Sequence, residues 1–297
     1  MTSRPHRLNA LVAAAAVACV LGYGCAALAQ APSSPSPPVP AEPSVPLPPP
    51  ANAAPGLLSA GGAFDAATPD IVMTLRAGVQ VSPSYFGSDD YELGPDLAAR
   101  FDYVRFPGGF EYGSSRTVGF RTGWGVQGSF RYIGERDDDA IEGLDDIPWS
   151  VEAGLGLGYE QRNWRAFADV RYGFVGHNTF VGELGADAIA YPIEGLTLTA
   201  GPRFQFGTDS FAQTYFGIST SESVASGLDF YDASGGLLAT GVEVGARYLF
   251  NERWGVEGAI GYDRLVNDAA GSPITAQGSA DQYTARIGIT RRISLDF

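Results

Sequence analysis

Three stretches of this chain carry residues whose type and spacing suggest chemistry. Gly123-x-Gly125-x-x-Gly128 has the spacing with which a glycine-rich turn cradles a dinucleotide pyrophosphate. That chemistry needs a strand, a tight turn and a helix in succession. Here Trp124, Val126 and Phe130 fall on one face of an alternating stretch and no helix signal follows, so the glycines are expected inside a strand. His177-Asn178 supplies two members of a hydrolytic triad that would also need a serine nucleophile. Nothing in the sequence fixes a serine beside it, and a structural histidine at a tight loop is expected. Glu135, Asp137, Asp138, Asp139, Glu142, Asp145 and Asp146 crowd one segment with only Arg136 opposing. Such carboxylates can take a divalent cation, but their spacing is not that of an EF-hand loop, and a solvated, self-repelling loop is expected. No catalytic, cofactor-binding or metal-binding residue is therefore assigned, and the chain is not expected to be an enzyme.

The elements that must position these residues begin after an export leader. Arg4, His6 and Arg7 precede an apolar run from Leu11 to Leu21, and Ala27-Leu28-Ala29 gives a small-x-small cleavage pattern before Gln30. The apolar run is shorter than the roughly 20 residues that span a bilayer as a helix. A lipoprotein signal ending at Cys25 is the rival, and Gly22-Tyr23-Gly24 fits it poorly. Both cysteines, Cys19 and Cys25, lie in this leader, so the exported remainder has neither a disulfide nor a thiolate site. Removing the two leader arginines takes the formal charge from −14 to about −16, which excludes nucleic acid as a natural partner. Residues 30–70 follow as a linker. Ala31 to Pro55 holds 11 prolines and almost no charge, a composition that favours extended polyproline II over a core. It is a spacer, or a tether reaching periplasmic partners.

From Ile71 onward apolar and polar residues alternate with period 2, segment after segment. Ile71, Met73, Leu75, Ala77, Val79 and Val81 share one face of the first segment, and Thr74, Arg76, Gly78, Gln80 and Ser82 the other. Ten such segments are predicted: 71–82, 96–112, 117–133, 148–160, 164–176, 179–191, 195–208, 237–250, 254–266 and 282–297. Their connections alternate between short and long, with His177-Asn178 the one exception. Short inner turns, long outer loops and an even strand count are the pattern of a transmembrane antiparallel up-and-down β-barrel, with twelve strands the alternative to ten.

In a soluble sandwich or jelly roll the apolar face would point inward. Here the other face carries Arg76, Arg100, Arg121, Arg131, Arg165, Arg171, Arg203, Arg247, Arg286 and Arg292, with Asp102, Glu152, Asp169, Glu183, Asp187, Glu243, Glu257 and Asp263 as counter-charges. Mixed charge of this density suits a narrow lumen filled by ion pairs. Tyr132, Trp149, Trp164, Tyr191, Tyr248, Trp254 and Tyr262 fall near strand ends, where aromatic girdles meet the membrane interface. Phe297 ends the last strand on its apolar face. Ten strands enclose little space, and these charges with Gln80, Gln127 and Gln205 are expected to consume it. The loop from Asp209 to Gly236 is expected to fold over the mouth, anchored by Tyr215 and Phe216.

Two loop motifs resemble one another: Pro83-x-Tyr85-Phe86-Gly87-Ser88 and Thr214-Tyr215-Phe216-Gly217-Ile218. With Ser226-Gly227-Leu228, Tyr231-Asp232-Ala233 and Asp268-Ala269-Ala270-Gly271-Ser272-Pro273-Ile274 they occur in the order seen in the MipA/OmpV family, and the chain from Ile71 to Phe297 resembles that family; the proline-rich stretch lies outside its pattern. The resemblance implies an outer-membrane barrel of a Gram-negative bacterium whose terminal Phe297 is read by the barrel assembly machinery. Such a barrel sits among lipid and lipopolysaccharide, whose phosphates would share a divalent cation if the acidic loop took one instead of standing solvated. It also implies a scaffold between murein hydrolase and synthase, in peptidoglycan maintenance. Small-solute transport and a surface antigen or adhesin are the alternatives. No cofactor is implied.

Overall fold

Period-2 alternation yields strands at every segment where it was read. The computed structural model describes residues 70–105, 111–113, 122–137 and 141–296. In chain order the strands are β1 Ile71–Pro83, β2 Tyr91–Arg105, β3 Glu111–Gly113, β4 Gly123–Ile133, β5 Ser150–Glu160, β6 Trp164–Phe174, β7 Phe180–Ala190, β8 Leu196–Gly207, β9 Gly236–Leu249, β10 Trp254–Leu265 and β11 Asp281–Leu295. Ten of them form the ring. β1 pairs with β2 and with β11, β2 pairs with β4, and each later strand pairs with the next, all antiparallel. The three-residue β3 adds only to the end of β2. The even count puts the start of β1 and the end of β11 at the rim that carries the short turns.

Two boundaries differ from expectation. The loop read as Pro83 to Pro95 is shorter, because Leu93, Pro95 and Leu97 continue the outward alternation and β2 starts at Tyr91. The long second segment, 96–112, ends as a barrel strand at Arg105, and its tail returns as β3. The third is described from Gly123, and its expected start at Thr117 lies outside the described residues. Arg121, Phe297, the leader and residues 30–69 of the linker lie outside the described residues.

Outward positions are apolar and exposed. Leu93, Leu97, Leu155, Val170, Val244, Ile287 and Ile289 present their side chains from neighbouring strands with nothing packed over them. A continuous belt of this kind would be insoluble in water, and it fits a hydrocarbon surround. Aromatic rings pair at both rims. Trp124, Tyr159 and Trp164 meet at the short-turn end, with Tyr248 against Phe250. Tyr172 packs with Phe174 and Phe180 at the long-loop end, where Tyr262 meets Tyr283. No helix among the described residues is long and apolar enough to cross a membrane; the strands do the crossing.

Register explains the inward glycines. Glu152 lies opposite Gly173, Asp169 opposite Gly156, Arg171 opposite Gly154, Arg203 opposite Gly185 and Gly241, and Glu257 opposite Gly288. Each long side chain faces a position with no Cβ, so the lumen holds large charged groups without splaying the strands. A one-residue slip would reverse the two faces along a strand.

The long loops contain helices that period-2 reading missed. They are α1 Asp209–Phe216, α2 Thr220–Ser226, α3 Asn267–Gly271 and α4 Pro273–Gln277. Thr208 caps α1 by accepting from the Phe211 N–H. Ser219 and Glu222 form a reciprocal capping box on α2, and Ser219-x-x-Glu222 is legible in the sequence.

Candidate functional site

The largest cluster of buried apolar residues sits at the long-loop mouth of the barrel. Phe211, Ala212, Tyr215 and Phe216 of α1 pack with Ile133, Ile147, Val181, Leu238, Leu265 and Ala269. Phe86 from the first outer loop enters this cluster, with ring centroids 4.9 Å from Tyr215, 5.6 Å from Phe211 and 5.9 Å from Phe216. Tyr85 joins a second cluster around Leu144, Ile218 and Ile274. The two loop motifs thus meet, as an aromatic plug. Gly87 is left-handed, with φ +93°, and a Cβ there would press on Thr275 of α4. Its N–H donates to Gln282 Oε1 at 3.2 Å. Gly217 caps α1 by donating to the Gln213 carbonyl at 3.1 Å. Ser272 Oγ donates to the Phe216 carbonyl at 2.6 Å, tying the last outer loop to the plug.

Beneath the plug lies a fully buried carboxylate. Glu152 takes Arg131 Nη2 at 2.7 Å, Arg171 Nε at 2.9 Å and His177 Nε2 at 3.2 Å. His177 Nδ1 accepts from the Thr179 N–H at 3.3 Å, and its ring stands edge-on to Phe211 at 5.0 Å. A Cβ on Gly173 would collide with the imidazole. His177 thus links the plug helix to the lumen charges, a connection its sequence context did not show. Arg131 also donates to Gln205 Oε1 at 2.9 Å and lies over the Phe86 ring at 5.6 Å.

Deeper in the lumen the pairing is dense. Arg203 reaches Asp187 at 2.9 Å and Glu243 at 3.0 Å, and Glu243 takes Arg286 at 2.6 Å. Arg171 also reaches Glu183 at 3.1 Å. Arg76 pairs with Asp96 at 2.7 Å and with Glu257. Arg247 is inward and half-buried, and Glu257 is among the charges acting on it. Of the lumen network read from the sequence, Arg76, Arg131, Arg171, Arg203, Arg247, Glu243 and Glu257 are thus inside. Phe167 was not anticipated: its ring points into the lumen under Arg203, 5.1 Å away, in space left by Gly185. The expectation that side chains fill the lumen is corrected. A cavity of about 380 Å³ remains among Arg76, Gln127, Arg131, Glu243 and Arg286, because ion pairing draws these groups to the wall.

The acidic loop is organised by its arginine. Arg136 is buried and donates to the carbonyls of Tyr215 at 3.4 Å and Asp145 at 3.3 Å, and burial pushes its guanidinium below the usual arginine range. Among the described residues no group of three or more His, Cys, Asp or Glu is placed to hold a metal ion. The glycines of Gly123-x-Gly125-x-x-Gly128 lie inside β4.

An antiparallel ring with an apolar exterior, a charge-paired lumen and a loop-packed mouth defines a plugged transmembrane β-barrel. The profile of the family "MltA-interacting protein MipA" matches residues 75–293, and the chain belongs to that family. The curated relatives named MltA-interacting protein, from Escherichia coli K12 and Shigella flexneri, are 33% identical over 84 residues; the match covers 28% of this chain and about a third of theirs. Among solved structures, a bacterial polysaccharide outer membrane secretin aligns over 74% of this chain and 98% of its own, at 8% identity and a TM-score of 0.33. The outer membrane protein OprD of Pseudomonas aeruginosa aligns over 75% and 65%, at 11% identity and a TM-score of 0.29. The barrel assignment rests on the strand ring itself.

Proposed function

We propose that this chain is an outer-membrane scaffold of the cell envelope, working through its rims and linker and not through catalysis or an open pore. The observation that carries this reading is the plug: Phe86, Phe211, Tyr215 and Phe216 pack into one aromatic cluster across the mouth. A barrel closed at its outer end serves an interaction role better than passage. Membership of a family named for binding MltA supports a murein hydrolase as partner, met on the inner rim or by the proline-rich linker. The belt of apolar strand residues supports lipid and lipopolysaccharide as its surround, with export and insertion by the barrel assembly machinery. His177 contacts Glu152 and plug aromatics, an arrangement that holds structure together and assigns no nucleophile.

The lumen cavity favours one second reading, small-solute transport, since about 380 Å³ is the size of a small-molecule site. Pull-down from detergent extracts, with and without residues 30–70, separates the two. Recovery of a murein hydrolase supports the scaffold. Recovery of no murein enzyme, together with solute-specific conductance, supports transport.

A further inference from the structure

The charges that line the lumen cavity are paired, with one exception. Seven arginines and six acids form its wall. Each of the arginines has a carboxylate within 3.2 Å. Arg76 meets Asp96, Arg100 meets Asp102, Arg165 and Arg203 meet Asp187, Arg131 and Arg171 meet Glu152, and Arg286 meets Glu243. Three of these partners, Asp102, Glu152 and Asp187, stand behind the lining, so the arginines are neutralised without drawing on all of its acids. Five of the six lining acids are satisfied as well. Asp96 and Glu257 pair with Arg76, Glu183 with Arg171, and Glu243 with Arg203 and Arg286, while Asp169 accepts from Gln127 at 3.0 Å and Ser129 at 2.7 Å. The sixth, Asp263, makes no ion pair or hydrogen bond among the described residues, and its Oδ1 is buried.

Register isolates it. Asp263 faces inward near the outer end of β10, opposite Gly241 of β9 and Gln282 of β11. Its Oδ1 occupies the space that a Cβ on Gly241 would take. The Gln282 amide donates instead to the carbonyls of Ser88 at 3.2 Å and Ser279 at 2.7 Å, and so holds the outer loops. The charges acting most on Asp263 are the carboxylates of Glu183 and Glu243, ahead of the Arg131 and Arg203 guanidiniums. The outer pole of the cavity is thus locally anionic, although the lining as a whole is close to neutral.

A carboxylate held away from water without a partner is costly, and a bound cation offsets that cost. The adjoining space of about 380 Å³ is that of a small molecule. Among the described residues no three acids are placed to hold a metal ion. An ammonium group asks less, one carboxylate with neighbouring acceptors for its three N–H donors.

We propose that the outer pole of the lumen cavity binds a small aliphatic amine in its ammonium form, with Asp263 as the counter-ion. Gly261 and Thr284, one layer deeper, line the space its short chain takes. Binding needs no passage through the plugged mouth, so the site goes beyond the scaffold reading without opposing it.

Amide-shift titration of the full chain in phosphatidylcholine nanodiscs at neutral pH tests the site, with ethanolamine as probe and ethylene glycol as its uncharged counterpart. Ethanolamine shifts the amides of Gly241, Gly261 and Asp263 saturably, and ethylene glycol does not. Asp263→Asn keeps the shape, loses no partner and weakens the binding by about ten-fold or more. Thr284→Leu fills the space beneath, leaves every lumen charge in place and does the same. Glu142→Gln in the outer loop leaves the affinity unchanged, which separates the site from general attraction to an acidic protein. No saturable shift, equal shifts from ethylene glycol, the same shifts from calcium at equal concentration, or undiminished affinity in either folded lumen variant overturns the proposal.

Discussion

Phe86 and Tyr215, from the first and fourth outer loops, meet edge to face with ring centroids 4.9 Å apart. This contact joins two loops that the sequence separates by six strands of the ring and makes one lid of them. Edge-to-face pairs contribute about 1 kcal/mol beyond their buried area. Phe86→Ala and Tyr215→Ala are therefore expected to couple by about 1 kcal/mol in a double-mutant cycle. Each should open residues 208–235 to limited proteolysis while the barrel keeps its heat-modifiable gel mobility. Additive effects, with the loop still protected, would contradict the contact.

Glu152 holds two arginines and a histidine from full burial. Removing its charge leaves Arg131 without its carboxylate and Arg171 with Glu183, at a cost of about 3–5 kcal/mol. Glu152→Gln and Arg203→Ala should both lower the unfolding midpoint in guanidinium strongly. Asp137→Asn and Glu142→Gln in the outer loop should shift it by less than about 0.5 kcal/mol, because exposed charges are screened. Equal losses from both sets would mean that the lumen and loop assignments are exchanged.

Gly173 and His177 form a size-matched pair, since any Cβ on Gly173 would strike the imidazole. Gly173→Ala alone should destabilise by about 1–3 kcal/mol through overpacking. In a His177→Ala background the same substitution should cost almost nothing. A full penalty in that background, read from the same guanidinium curves, would place the strain elsewhere.

The α2 capping box gives a pH dependence of known sign. Burial alone would raise the Glu222 carboxyl, but hydrogen bonds from Ser219 and the Asp145 N–H hold it below the usual glutamate value. A depressed folded value means that the contribution is present above the unfolded value, about 4.3. It is lost as pH falls through the lower folded one. Glu222→Gln keeps the geometry without the charge and should remove this acid sensitivity, costing about 1 kcal/mol or less at pH 7. Hydrogen exchange of the α2 amides between pH 6 and pH 3, corrected for intrinsic rates, checks it. Identical profiles for the two proteins would rule the carboxylate out.

Strand faces were legible because side chains alternate strictly: Arg76, Arg203 and Glu257 fell inward on period alone. The aromatic loop motifs were legible as a pair, and Tyr215 and Phe216 stand where they were expected. Pairing partners were not, because Arg203 meets Asp187 and Glu243 through register and barrel curvature, which no local pattern encodes. The helices α1 and α2 escaped a period-2 reading, although Ser219-x-x-Glu222 marked one of them. Glycines that looked like gaps are seats for opposing charges, and this too appears only once register is fixed.

Planar-bilayer recording of the purified barrel tests the central claim most directly, that the aromatic plug closes the lumen and leaves the protein to act as a scaffold. The intact chain is expected to give no stable conductance steps, and ohmic steps are expected once residues 209–235 are replaced by a short glycine-serine turn. Stable porin-like steps with sugar permeation from the intact chain would contradict it and make solute transport the function.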